Sequence, residues 1–247
     1  LVISFGLFYS FSTIAAVAPK ESATPVNTVV NTAKAVAKLP DPADSSWKKI
    51  GEEDSILTYS KDIEGTSIVA FRGEAVIDSN IAKITNVLID TTRKKEWVAK
   101  LVEAKDVKRL SEVEKVEYNH TSAGFPFVSD RDFVFKAAAE LDRINCRLIV
   151  RLKSVDEPSV PENTENVRGE ITSGIYILTP IEGGTKTHLV LEISADPKGS
   201  IPKMLVNSFQ KHWPRKTIQG IRAQAAKADV GEYPLVRQVF GQELHLM

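Results

Sequence analysis

Two hydrophobic periods divide the chain. Between residues 56 and 195 apolar side chains recur at every second position in eight stretches, 56–60, 67–77, 106–110, 115–121, 131–139, 146–155, 170–178 and 187–195, and each reads as a strand. The alternation is cleanest at 146–155, where Leu148, Val150 and Leu152 share one face and Arg147, Arg151 and Lys153 the other. Short polar turns at 62–65, 141–145 and 182–185 join neighbouring stretches closely enough for hairpins. Helical spacing over 79–88, capped by Ser79 or Asp78, and a short turn over 91–97 interrupt the strands.

After Pro197 and Gly199 the period lengthens. Ser200 is a candidate N-cap, Pro202 falls in a first turn where its missing N–H costs nothing, and a helix is expected from near Ile201 to about 228. Leu205, Phe209 and Trp213 recur at i+4, and the stripe resets after Pro214 to Ile218, Ile221 and Ala225, so Pro214 should bend the helix rather than end it. Upstream, a weaker helical pattern spans 26–37 ahead of the linker L-P-D-P-A-D. The Pro-rich loop 156–166 is long enough to gate something. These elements define an α+β chain: a curved antiparallel sheet wrapped around one long C-terminal helix.

Composition removes several functions. Thirty-two basic residues balance 32 acidic ones, with no basic stripe interleaved with aromatics, so a nucleic-acid partner is not expected. Cys146 is the only cysteine, and His120, His188, His212 and His245 have no ligand spacing, so neither a disulfide nor a structural metal is expected, and no cofactor. Residues 1–18 carry no charge and end in small side chains, as the core of a secretory signal does. A cleaved signal is favoured over a membrane anchor because Ser4, Ser10, Ser12 and Thr13 dilute the apolar run; a buried N-terminal helix is the third reading. The expected location is therefore periplasmic or secreted, or membrane-anchored if the segment is kept. The organisation expected is 1–18 signal or anchor, 19–24 linker, 25–230 folded domain and 231–247 C-terminal tail.

Several motifs fall in a familiar order: Trp47 before the first strand, T-T-R-K-K-E-W at 91–97, F-P-F-V-S-D-R-D-F-V at 125–134, V-R-G at 167–169, and D-P-K-G-S-I-P-K-M-L-V-N at 196–207. Together they resemble the StAR-related lipid transfer (START) domain over about residues 25–230. The resemblance implies a helix-grip fold, of the Bet v 1-like superfamily, whose sheet and long helix enclose an apolar tunnel for one lipid or sterol. It also implies that the helix and neighbouring loops open to admit ligand. Some sterol-binding members carry a buried arginine six residues beyond the Arg of R-D-F-V, paired with an acid on the preceding strand; here those places hold Ala137 and, within a residue, Tyr118 or Asn119.

Phe133, Phe135 and Ala137 share a face by period two and are expected to line the tunnel. Tyr118 is expected beside them, with Met204, Leu205, Ser208, Phe209 and His212 facing them from the long helix. Arg131 and Asp132 are expected to be structural, as are the packing anchors Trp97 and Trp213, whereas Arg72 and Arg151 are expected to face solvent. Asn119-His120-Thr121 fits a glycosylation acceptor but sits in an expected strand, and is discounted. The function expected is non-catalytic binding, and transfer between membranes, of a single lipid by a monomer that touches membrane surfaces transiently. The rivals are a polyketide cyclase or aromatase-like enzyme on the same fold and a ligand-sensing module.

Overall fold

The computed structural model describes residues 45–124, 127–201 and 203–244, the side chains of 203–210 and 242–244 excepted. The apolar segment 1–18, the linker and the helical pattern at 26–37 lie outside the described residues. Ten strands form one sheet: β1 (Lys48–Glu53), β2 (Ile56–Asp62), β3 (Val69–Ile77), β4 (Leu101–Arg109), β5 (Glu114–Thr121), β6 (Arg131–Asp142), β7 (Arg147–Ser154), β8 (Val167–Arg168), β9 (Glu170–Ile181) and β10 (Lys186–Asp196). Their order is β1-β2-β3-β10-β9-β7-β6-β5-β4, antiparallel throughout, with the two-residue β8 pairing parallel to β6. Sequential hairpins build each half, and the long-range β3–β10 ladder joins the halves.

Among the described residues three helices accompany the sheet: α1 (Ile81–Ile89), α2 (Lys203–Ala225) and α3 (Pro234–Leu244), with a 3-10 turn at Thr91–Glu96. The cap of α1 is Asn80 rather than Ser79 or Asp78; its side-chain oxygen accepts from Lys83 N at 2.9 Å and satisfies one orphan donor of the first turn. α2 runs through Pro214 as a single helix. Its second half carries the expected stripe: Ile218 and Ile221 are fully buried and Ala225 nearly so. Each of the two isoleucines contributes roughly 1.5–3 kcal/mol of apolar burial. Two glycines permit this approach. A Cβ at Gly73 on β3 would lie 2.9 Å from both Pro214 and Ile218, and one at Gly220 would overlap the carbonyl of Trp97.

Polar contacts fix the same half of α2. Gln219 Nε2 donates to Asp54 Oδ2 at 2.6 Å, and Arg222 donates to the carbonyls of Asp54 and Val76 at 2.6 and 2.9 Å, while Arg215 pairs with Glu53. Residues 231–247 were expected to be a tail. Instead α3 packs on α1, with Val236 and Phe240 in the main core and Tyr233 N donating to Ala82 O at 3.0 Å. The correction follows from i+4 spacing: Val236 and Phe240 share a face that only α1 and the core can cover. Arg72 is corrected too. It is 3% exposed, its guanidinium 4.6 Å over the Trp47 ring and paired with Glu192, so a strand arginine is internalised by a carboxylate and an aromatic face.

Candidate functional site: the inner face of the sheet

The register assigns each residue to a face. Leu152, Val150 and Leu148 on β7 stand opposite Ala137, Ala139 and Leu141 on β6, and Val150 and Leu178 continue the same side onto β9 and β10 through Tyr176, Leu189 and Leu191. All but Ala137 belong to, or pack against, the core cluster that includes Ile218 and Ile221 of α2, so this is the inner face. Phe133 and Phe135 share it by parity: Phe135 is 2% exposed, whereas Phe133 and Ala137 are half-buried. Trp97 is buried in the same core and Trp213 packs partly against it. The main chain of α2 carries Met204, Leu205, Ser208 and Phe209, whose side chains lie outside the described residues.

Two expected ligand contacts are elsewhere. Tyr118 pairs with Val134 in the β5–β6 ladder, and with Val116 these form a separate buried cluster on the opposite face. Val155 and Val160 pack over that cluster, so the 156–166 loop covers the outer face and does not stand over the inner one. Burial, and then the nearby charge of Asp132, raises the Tyr118 hydroxyl above the ordinary phenol value. His212 is exposed, because the helical face it occupies turns from the core that takes Ile218 and Ile221.

Arg131 and Asp132 do not bond each other, since successive strand residues point to opposite faces. Arg131, 6% exposed, donates to Pro197 O at 3.2 Å and Lys198 O at 3.0 Å, and also to Ser129 O, tying the start of β6 to the segment that leads into α2. Gly199 (φ 69°) keeps that segment close, since a Cβ there would stand 3.2 Å from the Arg131 guanidinium. Asp132, 1% exposed, accepts a two-pronged bond from Arg168 at 2.9 and 3.1 Å, and Arg168 in turn donates to Val160 O and Pro161 O. This pair pins the outer loop.

The residues that sequence reasoning missed are charged and inside. Glu117 sits opposite Phe135 and is 1% exposed; it takes Lys94 from the 3-10 turn on one oxygen and Lys115 at 3.1 Å on the other. Lys115 also reaches Asp106 at 2.7 Å, and Thr91 Oγ1 donates to the same carboxylate at 2.5 Å. Burial pushes the Lys94 ammonium below its ordinary value, with Glu117 opposing that shift. Burial opposes ionisation of Asp106 as well, yet the bonds from Lys115 and Thr91 win and hold its carboxyl low. Glu117, one residue from Tyr118, is thus an acid on the strand before R-D-F-V, and it pairs with a lysine from another element. Parity could have found it: once Phe135 is assigned to the inner face, its cross-strand partner Glu117 must share it.

The START domain family pattern matches residues 28–223, and the chain belongs to that family. Among curated relatives, an uncharacterised protein of Pseudomonas aeruginosa is 27% identical over 181 residues, 73% of this chain and 87% of that protein. The human mitochondrial StAR-related lipid transfer protein 7 is 24% identical over 165 residues, 65% of this chain but only 44% of that protein, so the likeness spans less than half of it. In three dimensions, human StAR-related lipid transfer protein 5 superposes with a TM-score of 0.69 at 18% identity, over 74% of this chain and 88% of its own, which establishes the helix-grip fold.

Proposed function

We propose that this START domain holds one lipid between α2 and the inner face of β5, β6, β7 and β9, without catalysis, and exchanges it at a membrane surface. One observation carries the reading. Phe133, Ala137, Ala139, Leu141, Leu152 and Trp213 are apolar and turned toward the interior, yet each is only partly buried. A sealed core would cover them, and an acyl chain or sterol skeleton would do the same. At about 0.8 kcal/mol per buried CH₂, a single acyl chain supplies on the order of 10 kcal/mol before the costs of association. Phe133, Phe135 and Ala137, with Met204, Leu205, Ser208 and Phe209 of α2, are the proposed lining.

The non-catalytic reading is supported by the charge cluster, whose lysines and carboxylates are committed to one another rather than presented to a substrate. For membrane contact the proposed group is Phe127, fully exposed at a φ of 65° in the loop between β5 and β6. Asp130 braces that loop by accepting from Ala123 N at 2.9 Å, beside His120 at 3.0 Å. A monomer that is exported, or anchored by residues 1–18, completes the proposal. Incubation of the purified chain with fluorescent-lipid vesicles tests it: stoichiometric extraction and delivery to acceptor vesicles supports the reading, and absence of any extraction refutes it. N-terminal sequencing of the natural protein tests cleavage.

A further inference from the structure

A cleft of about 150 Å³ lies where the C-terminal ends of α1 and α2 meet the connection to α3. It shares no residue with the lipid lining proposed above, and the lipid-binding reading stands or falls apart from it. Val87 and Val230 form apolar walls, and Asp90, Arg93, Gln224 and Asp229 supply polar ones. Gln224 is 2% exposed, and Glu96 fixes the orientation of its amide. Bonds from Arg93, then Lys227 and Gln224, hold the Glu96 carboxyl well below the ordinary carboxylate range, so it is ionised and can only accept. The Gln224 atom 3.0 Å from Glu96 Oε2 is therefore Nε2, and this leaves Gln224 Oε1 buried without a partner. A buried acceptor in that state is destabilising, and a ligand that brings an N–H to it relieves the cost.

The charges around the cleft decide which donor it takes. Arg93 gives two bonds to Glu96, at 2.8 and 2.9 Å, and stands 3.1 Å from Asp229 Oδ2, so the guanidinium is already matched by two carboxylates. Asp90 caps the 3-10 turn through Oδ1, accepting from Thr92 N at 3.0 Å, and among the described residues no cation pairs with it. The last turn of α1 carries no basic side chain, so its dipole adds negative potential at the same place. A positive ligand is favoured on both counts. Among the described residues no three His, Cys, Asp or Glu side chains are grouped as a metal site, which turns the choice to an organic cation. We infer that this cleft binds a small alkylammonium, whose N–H groups donate to Gln224 Oε1 and the Asp90 carboxylate while its carbons lie between Val87 and Val230. The volume, roughly five waters' worth of liquid, holds about five heavy atoms.

Three probes of matched size separate the chemistries: n-butylammonium, 1-butanol and butyrate. Each is titrated at pH 7 into the ¹⁵N-labelled full chain, and backbone amide shifts are followed by NMR. Butylammonium should saturate in the low millimolar range or below, with its shifts confined to residues 86–93 and 224–231, and should bind about tenfold more tightly than butanol. Asp90→Asn keeps the Oδ1 cap and removes the charge, and should weaken butylammonium about fivefold. Gln224→Leu removes the buried acceptor and should weaken it at least as much; if that variant fails to fold, Asp90→Asn decides. Saturation unchanged by Asp90→Asn, or shifts centred on other residues, overturns the site. Tighter binding of butyrate, drawn by Arg93, or equal binding of butanol overturns its preference for a cation. Absence of saturable shifts with butylammonium overturns the inference outright, whatever lipid the chain carries.

Discussion

Glu117→Ala is the most informative single perturbation of the site. It leaves Lys94, 9% exposed, without its carboxylate, while Lys115 keeps Asp106 at 2.7 Å. Breaking one partner from a buried pair costs about 3–5 kcal/mol. A ceiling follows independently from proton chemistry, because Lys94 can shed its charge instead of remaining buried and unpaired. From its ordinary value of 10.5, deprotonation at pH 7 costs about 1.4 kcal/mol per unit, or about 5 kcal/mol in all. The two routes agree, and for a domain of this size the loss corresponds to a fall in Tm of about 6–20 °C.

The ceiling also sets the pH dependence. A lysine whose folded value lies below its unfolded one binds fewer protons in the native state, so the stability of the variant rises with pH up to the ordinary lysine value. At pH 9 the same ceiling is about 2 kcal/mol, and the gap between Glu117→Ala and the parent should narrow accordingly. Lys94→Met combined with Glu117→Leu removes both charges and should recover most of the loss. Urea unfolding of the parent and both variants, followed by circular dichroism at pH 7 and pH 9, measures these differences. A Glu117→Ala loss below about 1 kcal/mol at pH 7, or one that does not narrow at pH 9, would refute the assignment of Lys94 and Glu117 as a buried pair.

Gly220→Ala should destabilise by about 1–3 kcal/mol in urea, although helix propensity alone would favour alanine by about 1 kcal/mol, because the added methyl meets the backbone carbonyl of Trp97. Asp106→Asn should flatten the acid limb of the stability profile: its depressed carboxyl contributes stability above the ordinary carboxylate value and loses it as pH falls through the depressed one, so variant and parent should converge in acid. Phe127→Asp should weaken vesicle association in a flotation assay and leave the urea midpoint within about 0.5 kcal/mol of the parent, since Phe127 is fully exposed.

Period-two patterning found eight of the ten strands because apolar and polar positions alternate along each. β1 escaped it: K-K-I-G-E-E has no alternation to read, being an edge strand that needs only one neighbour and presents charge outward. The second half of α2 was legible through Ile218, Ile221 and Ala225, which face the core without competition. The site was harder. In K-V-E-Y-N, at 115–119, alternation assigns Val116 and Tyr118 inward and Glu117 outward, and the fold reverses both, because the 156–166 loop supplies an apolar cover on the far side and Lys94 a counter-charge on the near one. Both come from distant segments, and T-T-R-K-K-E reads locally as a solvated cationic turn. Local pattern reports amphipathicity and leaves open which face is the interior.

The central claim, a single lipid held inside the domain, is tested most directly by native mass spectrometry of the chain prepared without detergent, with lipid extraction from the same sample. The account predicts a discrete added mass of one lipid per chain, released on unfolding and identified in the extract. A chain that is empty, and remains empty after incubation with vesicles, would contradict it.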